Sequence, residues 1–245
     1  MHRYKLIVEY DGTPFCGWQR QEGVPTIQQR LEEAVQPLTK DLITISGAGR
    51  TDAGVHALGQ VAHFETEKNL DVFRIQECMN AHLVDYPISV LSVEQVSSDF
   101  HSRFSAVERF YIYKIVNRRS KLALDINRAW KILRPIDAKR MNNIAQILVG
   151  KHDFSAFRAK GCQATSPIKT LNSISVERFG DQIIVKLAAK SFLYHQVRNI
   201  VGSLQKVGAG EWTEEKFQAI FKSRNRSLAA ATAPACGLYF WKVRY

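Results

Sequence analysis

Gly47-Ala48-Gly49-Arg50-Thr51-Asp52-Ala53-Gly54-Val55-His56-Ala57-Leu58-Gly59-Gln60-Val61-Ala62-His63-Phe64 reads as a turn of small residues that runs into a strand. The glycines at 47, 49 and 54 open backbone dihedrals closed to other residues, and they remove side chains that would keep a large ligand away. Upstream, Leu42-Ile43-Thr44-Ile45 is a short β-branched run; downstream, Gln60 to Phe64 alternates apolar with polar, so the turn is expected to join two strands. Asp52 has two readings here. Aspartate is common in turns because it bonds its own backbone, and a loop held by a rigid sheet is also where binding and catalytic groups concentrate. A nucleotide loop is excluded, because the dinucleotide fingerprint needs glycine where Asp52 stands and no Gly-Lys-Ser/Thr ending follows.

Working outward, Tyr4, Leu6, Val8 and Tyr10 alternate with Lys5, Ile7 and Glu9, which predicts a half-buried strand ending at Asp11-Gly12. Thr26 with Gln29 forms a capping box ahead of Ile27, Leu31, Ala34, Val35 and Leu38 at helical spacing. Val72, Ile75, Met79 and Leu83 predict a second helix, and 88–96 a strand. From Arg109 a similar order follows: a strand over 110–116, a helix through Met141, Ile144, Ala145 and Leu148 that stops at Gly150, and a hairpin of 174–178 and 183–187 about Phe179-Gly180-Asp181. Helices over 194–207 and 214–221 and an aromatic strand over 237–245 complete the chain. This order predicts an α+β protein of two similar α/β subdomains with mixed, largely antiparallel sheets, residues 1–105 and 106–245, and a basic cleft between them as the expected site.

The 245 residues suffice for a proper core, and 45% hydrophobic with 23% charged residues is an ordinary globular composition. Charges interrupt the first ten residues and no later segment approaches a membrane span, so no membrane association and a cytoplasmic setting are expected. Cys16, Cys78, Cys162 and Cys236 lie far apart and are expected reduced and mostly buried, and no histidine arrangement has metal-ligand spacing, so no metal is expected. The charge is unevenly placed. Residues 1–105 carry 9 Lys and Arg against 14 Asp and Glu, a net of −5, whereas residues 106–245 carry 25 against 9, a net of +16. A polyanion fits that asymmetry, since basic side chains that neutralise phosphates release counterions; a merely soluble basic surface is the other reading.

Tyr111 and Tyr113 share one strand face just after Arg109 and read either as core or as a platform on which an extruded base stacks. Arg198 stands in an otherwise apolar helix beside Val197 and Val201. It either snorkels to solvent or is partly buried, and a buried guanidinium needs an anion, which Asp52 would supply while staying ionised.

The whole constellation resembles the pseudouridine synthases. GAGRTDAGVHALGQVAHF is similar to their active-site motif, while YDGTPFCGWQRQ (10–21), DFHSRFSAVERFYIYKI (99–115), HDFSAFRA (152–159), FLYHQVRNIVGSL (192–204) and LAAATAPACGLYFWKV (228–243) resemble the TruA family of tRNA pseudouridine synthases in particular. The resemblance implies isomerisation of uridine to pseudouridine at positions 38, 39 and 40 of the tRNA anticodon stem-loop, without a cofactor, by a homodimer of two-domain subunits. It implies Asp52 as the catalytic aspartate, attacking either ribose C1′ or uracil C6, with base flipping, a break of the N-glycosidic bond and rejoining through C5. Arg198 matches the basic partner of that aspartate, Tyr111 the tyrosine that stacks on the uracil and helps remove the C5 proton, Leu238 an apolar wall of the base pocket, and Arg50 the arginine that assists extrusion. Residues 118–121 and 158–167 depart from the family pattern, so no outer RNA contact is carried onto them. A synthase for another RNA site, a non-catalytic RNA-binding module or chaperone, and a small-molecule nucleotide enzyme are the alternatives; the last has no need of the basic half.

Overall fold

Tyr4, Leu6, Val8 and Tyr10 are buried while the residues between them are not, so strand β1 (His2–Tyr10) lays one face on a core as its alternation predicts. The computed structural model describes residues 1–245, which divide into two units, Met1–Val107 with Tyr239–Tyr245 and Glu108–Leu238. Each mixes strands with helices, an α+β architecture. No helix is long and apolar enough to cross a membrane.

In the first unit, helix α1 (Ile27–Thr39) starts at Thr26, whose hydroxyl accepts the Gln29 N–H at 3.4 Å. The Gln29 amide turns instead to Glu33 at 2.8 Å, so only one arm of the expected capping box closes. Ile27, Leu31, Ala34 and Val35 are buried, each large one contributing roughly 1.5–3 kcal/mol of transfer free energy. The strand expected over 42–45 does not form. Leu42 is 90% exposed, and the Ile45 N–H is taken by the Glu32 carboxylate at 3.0 Å, which removes a donor that a ladder would need. Pairing begins only at β2 (Ser46–Gly47), antiparallel to β3 (His56–Thr66). Helix α2 (Val72–His82) is capped by Asp71, which accepts the Arg74 N–H at 2.8 Å, and it packs on α1 and on β4 (Ile88–Val96). Strand β1 is antiparallel to both β3 and β4.

The second unit opens with β5 (Glu108–Asn117) and β6 (Trp130–Ile132), which run parallel. Helix α3 (Ala138–Ala145) tightens into a 3₁₀ turn over 146–148, so it ends before Gly150, which at φ 112° begins β7 (Gly150–Asp153). The expected hairpin is present: β8 (Ile168–Phe179) and β9 (Gln182–Ala189) pair Phe179 with Gln182 across Gly180-Asp181, and Gly180 takes the left-handed φ of 60° that so tight a turn requires. Strand β9 pairs with β5 and β8 with β7, all antiparallel. Helix α4 (Gln196–Gly208) packs on α3 and on α5 (Glu214–Ser223), and the rings of Phe157 and Phe221 stack at 5.8 Å beside Phe154 and Phe217 in the core.

The last strand, β10 (Leu238–Arg244), runs parallel to β3 at His56 and Ala57, so residues 239–245, placed by the sequence with the second half, belong to the first unit. Gly59 permits this: a Cβ there would stand 2.7 Å from the Trp241 carbonyl. The Val107 N–H bonds Arg244 at 2.9 Å, and the Tyr245 hydroxyl donates to the Ser102 carbonyl at 2.8 Å. The cysteines differ from expectation, with Cys16 exposed and the other three half-buried. Cys162 is held at the surface by a polar contact, its sulfur accepting the Tyr194 N–H at 3.3 Å.

On β3, His63 is buried, with Nδ1 2.9 Å from the Ser102 hydroxyl and its ring edge-on to His101 at 4.6 Å. Burial above all, then the charges of His101 and Arg3, bring its pKa from 6.5 down to about 4. Between those values the unfolded chain binds the proton and the folded chain does not, so this imidazole's contribution is full above about pH 6.5 and is lost as pH falls toward 4. Urea unfolding across that window should show a shallower acid-side loss in His63→Gln than in the parent; equal slopes would exclude His63 as the source.

Candidate active site

Asp52 is half-buried in the turn between β2 and β3, and Arg50 in the same turn is exposed. Backbone contacts from the 11–25 loop set the course of this turn. Gly17, at φ 91°, lies so close that a Cβ would be 2.6 Å from the Thr51 carbonyl, and the Trp18 N–H donates to that same carbonyl at 3.0 Å. The Trp18 indole covers Gly47, where a Cβ would meet the ring at 2.6 Å. Within the turn, the Val55 N–H closes on the Asp52 carbonyl at 3.1 Å. His56 Nδ1 lies 3.1 Å from the Gly12 N–H and 3.0 Å from an Asp11 carboxylate oxygen, and the ring stacks on Tyr239 at 4.7 Å.

Two side chains reach the turn from the strands. The Tyr10 hydroxyl is 2.8 Å from Thr51 Oγ1, and Gln60 Nε2 donates to the Gly49 carbonyl at 2.7 Å. Burial pushes the Tyr10 phenol up to about 12, against hydrogen bonds with Thr51 and Gln60 that favour its ionised form. Gln60 is fully buried and its Oε1 has no partner, a cost of about 1–3 kcal/mol.

In the second unit, Tyr111 on β5 is 9% exposed with its ring edge-on to Phe192 at 5.1 Å. Tyr113 is wholly buried; its hydroxyl donates to the Pro234 carbonyl at 2.7 Å, and burial raises its pKa well above the ordinary range, so of the pair it is the core residue. Arg198 is half-buried in the first turn of α4. Its Nε donates to the Ala233 carbonyl at 2.8 Å and its Nη1 to His195 Nε2 at 3.2 Å. A guanidinium can only donate, so His195 must present an unprotonated Nε2. The 229–233 segment is drawn tightly onto α4, where a Cβ on Gly202 would be 2.2 Å from the Ala231 carbonyl. Buried Asn199 completes the clamp, its Oδ1 accepting from Thr232 at 2.7 Å and from Arg226 at 3.0 Å. Leu238, 6% exposed, stands at the start of β10.

Asp52 and Arg50 therefore share one turn of the first unit, and Tyr111, Arg198 and Leu238 lie in the second. The supports were not read from the sequence: Tyr10, Gly17 and Gln60 around Asp52, and His195, Asn199 and Ala233 around Arg198. For Gln60 a signal was present, because it shares strand parity with Ala62 and Phe64, which are core, so an amide falls on an apolar face.

A family profile described as tRNA pseudouridine synthase matches residues 6–105 and 144–245. The tRNA pseudouridine synthase A of Afipia carboxidovorans is 52% identical over 245 residues, covering 100% of both chains. That of Rhodospirillum centenum is 50% identical over 245 residues, again covering 100% of both. A solved chain of a Cbf5-Nop10-Gar1 complex overlaps 82% of this chain and 45% of its own at 11% identity and a TM-score of 0.35, too slight a likeness to bear on fold or function.

Gly17→Ala tests the close approach behind Asp52. Strain at φ 91° and overlap with the Thr51 carbonyl should together cost about 1–3 kcal/mol or more in urea unfolding. Gly23→Ala, at φ 75° but with nothing within 4 Å, should lose distinctly less. Equal losses would mean that the dihedral alone matters and that the turn is not pinned there.

Proposed function

The chain belongs to the tRNA pseudouridine synthase family, and from that premise we propose that it converts uridine to pseudouridine at positions 38, 39 and 40 of the tRNA anticodon stem-loop, with Asp52 as the nucleophile. The observation that carries the role of Asp52 is its turn: a carboxylate among glycines, on backbone tied down at Gly49, Thr51 and Val55. A group so held meets its target without first being ordered, and orientation of that kind is where an isomerase gains rate.

The chemistry is balanced within the substrate. The N1–C1′ bond breaks and a C5–C1′ bond forms, and the proton lost from C5 is matched by one gained at N1. Product and substrate are isomers, so no oxidant, reductant or co-substrate is consumed, and no cofactor enters the proposal. Asp52 adds either to ribose C1′ or to uracil C6; both routes release the base to turn. A uracil in a stem must first be flipped out, at a cost of a few kcal/mol. Arg50 assists that extrusion, Tyr111 stacks on the flipped base and helps take the C5 proton, and Leu238 lines the apolar wall behind it. Arg198 takes the role of basic partner of the catalytic aspartate, as the family resemblance implies. The support for Arg198 is its tethering: Ala233 and His195 hold the guanidinium through uncharged acceptors, which leaves its positive charge undiminished by them.

The tRNA backbone is met by the second unit, which holds 23 Lys and Arg against 9 Asp and Glu. The working species is a homodimer, as the family resemblance implies, and a tRNA substrate favours a cytoplasmic setting. Light scattering should return the mass of two chains; a single chain at assay concentration would remove the dimer from the proposal.

Tritium release from tRNA carrying 5-tritiated uridine, with no metal or nucleotide added, tests the mechanism. The parent should release tritium and Asp52→Ala should not, while both bind tRNA alike. Arg198→Ala should lose on the order of 10²-fold or more in turnover with tRNA affinity largely kept. Activity near the parent's in either variant would sink the role given to that residue.

A further inference from the structure

We propose that Gln60 is a positioning residue for the isomerisation: from β3 it holds the backbone just ahead of Asp52 through the Gly49 carbonyl. The proposal rests on the reading of Asp52 as nucleophile.

Two side-chain contacts hold the residues ahead of Asp52. Gln60 Nε2 donates to the Gly49 carbonyl at 2.7 Å, and the Tyr10 hydroxyl is 2.8 Å from Thr51 Oγ1. Tyr10 is 2%, Thr51 8% and Gln60 0% exposed, and the Tyr10–Thr51 bond is shielded from water, while the Gly49 carbonyl is half-buried. The orientation of the amide is decided by its partner. A carbonyl only accepts, so Nε2 must face Gly49 and Oε1 must point away, where it is buried without a partner. For stability alone that is a poor choice, because an apolar side chain of similar length would fill the space with no acceptor left unbonded. The amide does one thing that such a side chain cannot: it fixes the Gly49 carbonyl.

That carbonyl needs fixing. Glycines at 47, 49 and 54 deprive the turn of side chains with which to pack, so its course depends on the hydrogen bonds made to it. Trp18 holds the Thr51 carbonyl from the 11–25 loop. Gln60 holds the turn from the strand that follows it, and Tyr10 holds Thr51, so the two contacts bracket Arg50 just ahead of Asp52. Freed at Gly49, the carboxylate would sample a wider range of positions, and errors near 1 Å are enough to cost a reaction about 100-fold.

The test compares Gln60→Met, Gln60→Glu and Asp52→Ala with the parent by steady-state tritium release and thermal unfolding. Gln60→Met should melt at or above the parent's temperature, with kcat lowered about 10- to 100-fold and KM within about twofold. In Gln60→Glu the buried carboxyl donates to Gly49 only when protonated, so its kcat relative to the parent should rise as pH falls. A packing role predicts that any loss in Gln60→Glu at higher pH tracks the loss of folded protein, with kcat per folded enzyme unchanged, and that result, or a parental kcat in Gln60→Met, overturns the proposal. The pH series decides the matter even if Gln60→Met does not fold. Asp52→Ala keeps the two readings apart: release at the parent's rate would refute the nucleophile, whereas no release there with full activity in Gln60→Met would refute the positioning alone.

Discussion

The Thr51 carbonyl, pressed against Gly17 and bonded by the Trp18 N–H at 3.0 Å, is the contact on which the Asp52 turn depends. Backbone lies against backbone there, with no side chain between, and only glycine at φ 91° allows the approach. Trp18 then serves twice, through its main chain at Thr51 and through its indole over Gly47. The turn is thereby short of side chains and yet ordered, two properties that ordinarily oppose each other, since a backbone without side chains has most entropy to lose. External hydrogen bonds and close packing of neighbours resolve the conflict.

The second unit solves a similar problem differently. Arg198 is long and flexible, and its geometry is set by acceptors, Ala233 behind the guanidinium and His195 beside it. Those acceptors are in place because the 229–233 segment lies flush on α4 at Gly202 and is tied through Thr232 and Arg226 to Asn199. In both, hydrogen bonds to neighbouring backbone and side chains fix the position of the group: Gln60 and Trp18 on the turn before Asp52, and Ala233 and His195 on Arg198.

Much of this was legible in advance. The alternation of β1, the apolar spacing of α1, α2 and α4, and the Gly180 hairpin are local patterns, and they were readable because neighbours in sequence are neighbours on one face. The strand misread at 42–45 shows the limit of that rule. Its β-branched residues have the propensity, but Glu32, thirteen positions away, takes the Ile45 N–H. The capping box at Thr26 failed by half for a comparable reason, as Glu33 offered Gln29 a nearer partner. The return of residues 239–245 to the first unit is likewise a long-range pairing with β3, invisible in the composition that marked the charge step near residue 105.

By itself the sequence determined the main helices and the long strands, the small-residue turn around Asp52, the split of charge, and the family to which the motifs belong, because each is a matter of residue identity and spacing. Tertiary structure alone decided that Tyr113 is core, that Gln60 and Tyr10 reach Gly49 and Thr51, and that Ala233 and His195 hold Arg198. The reason is physical: a hydrogen bond forms between groups a few ångströms apart whatever their separation along the chain. Tyr10 and Thr51 are separated by 41 positions and Arg198 and Ala233 by 35, and only the folded backbone brings each pair together.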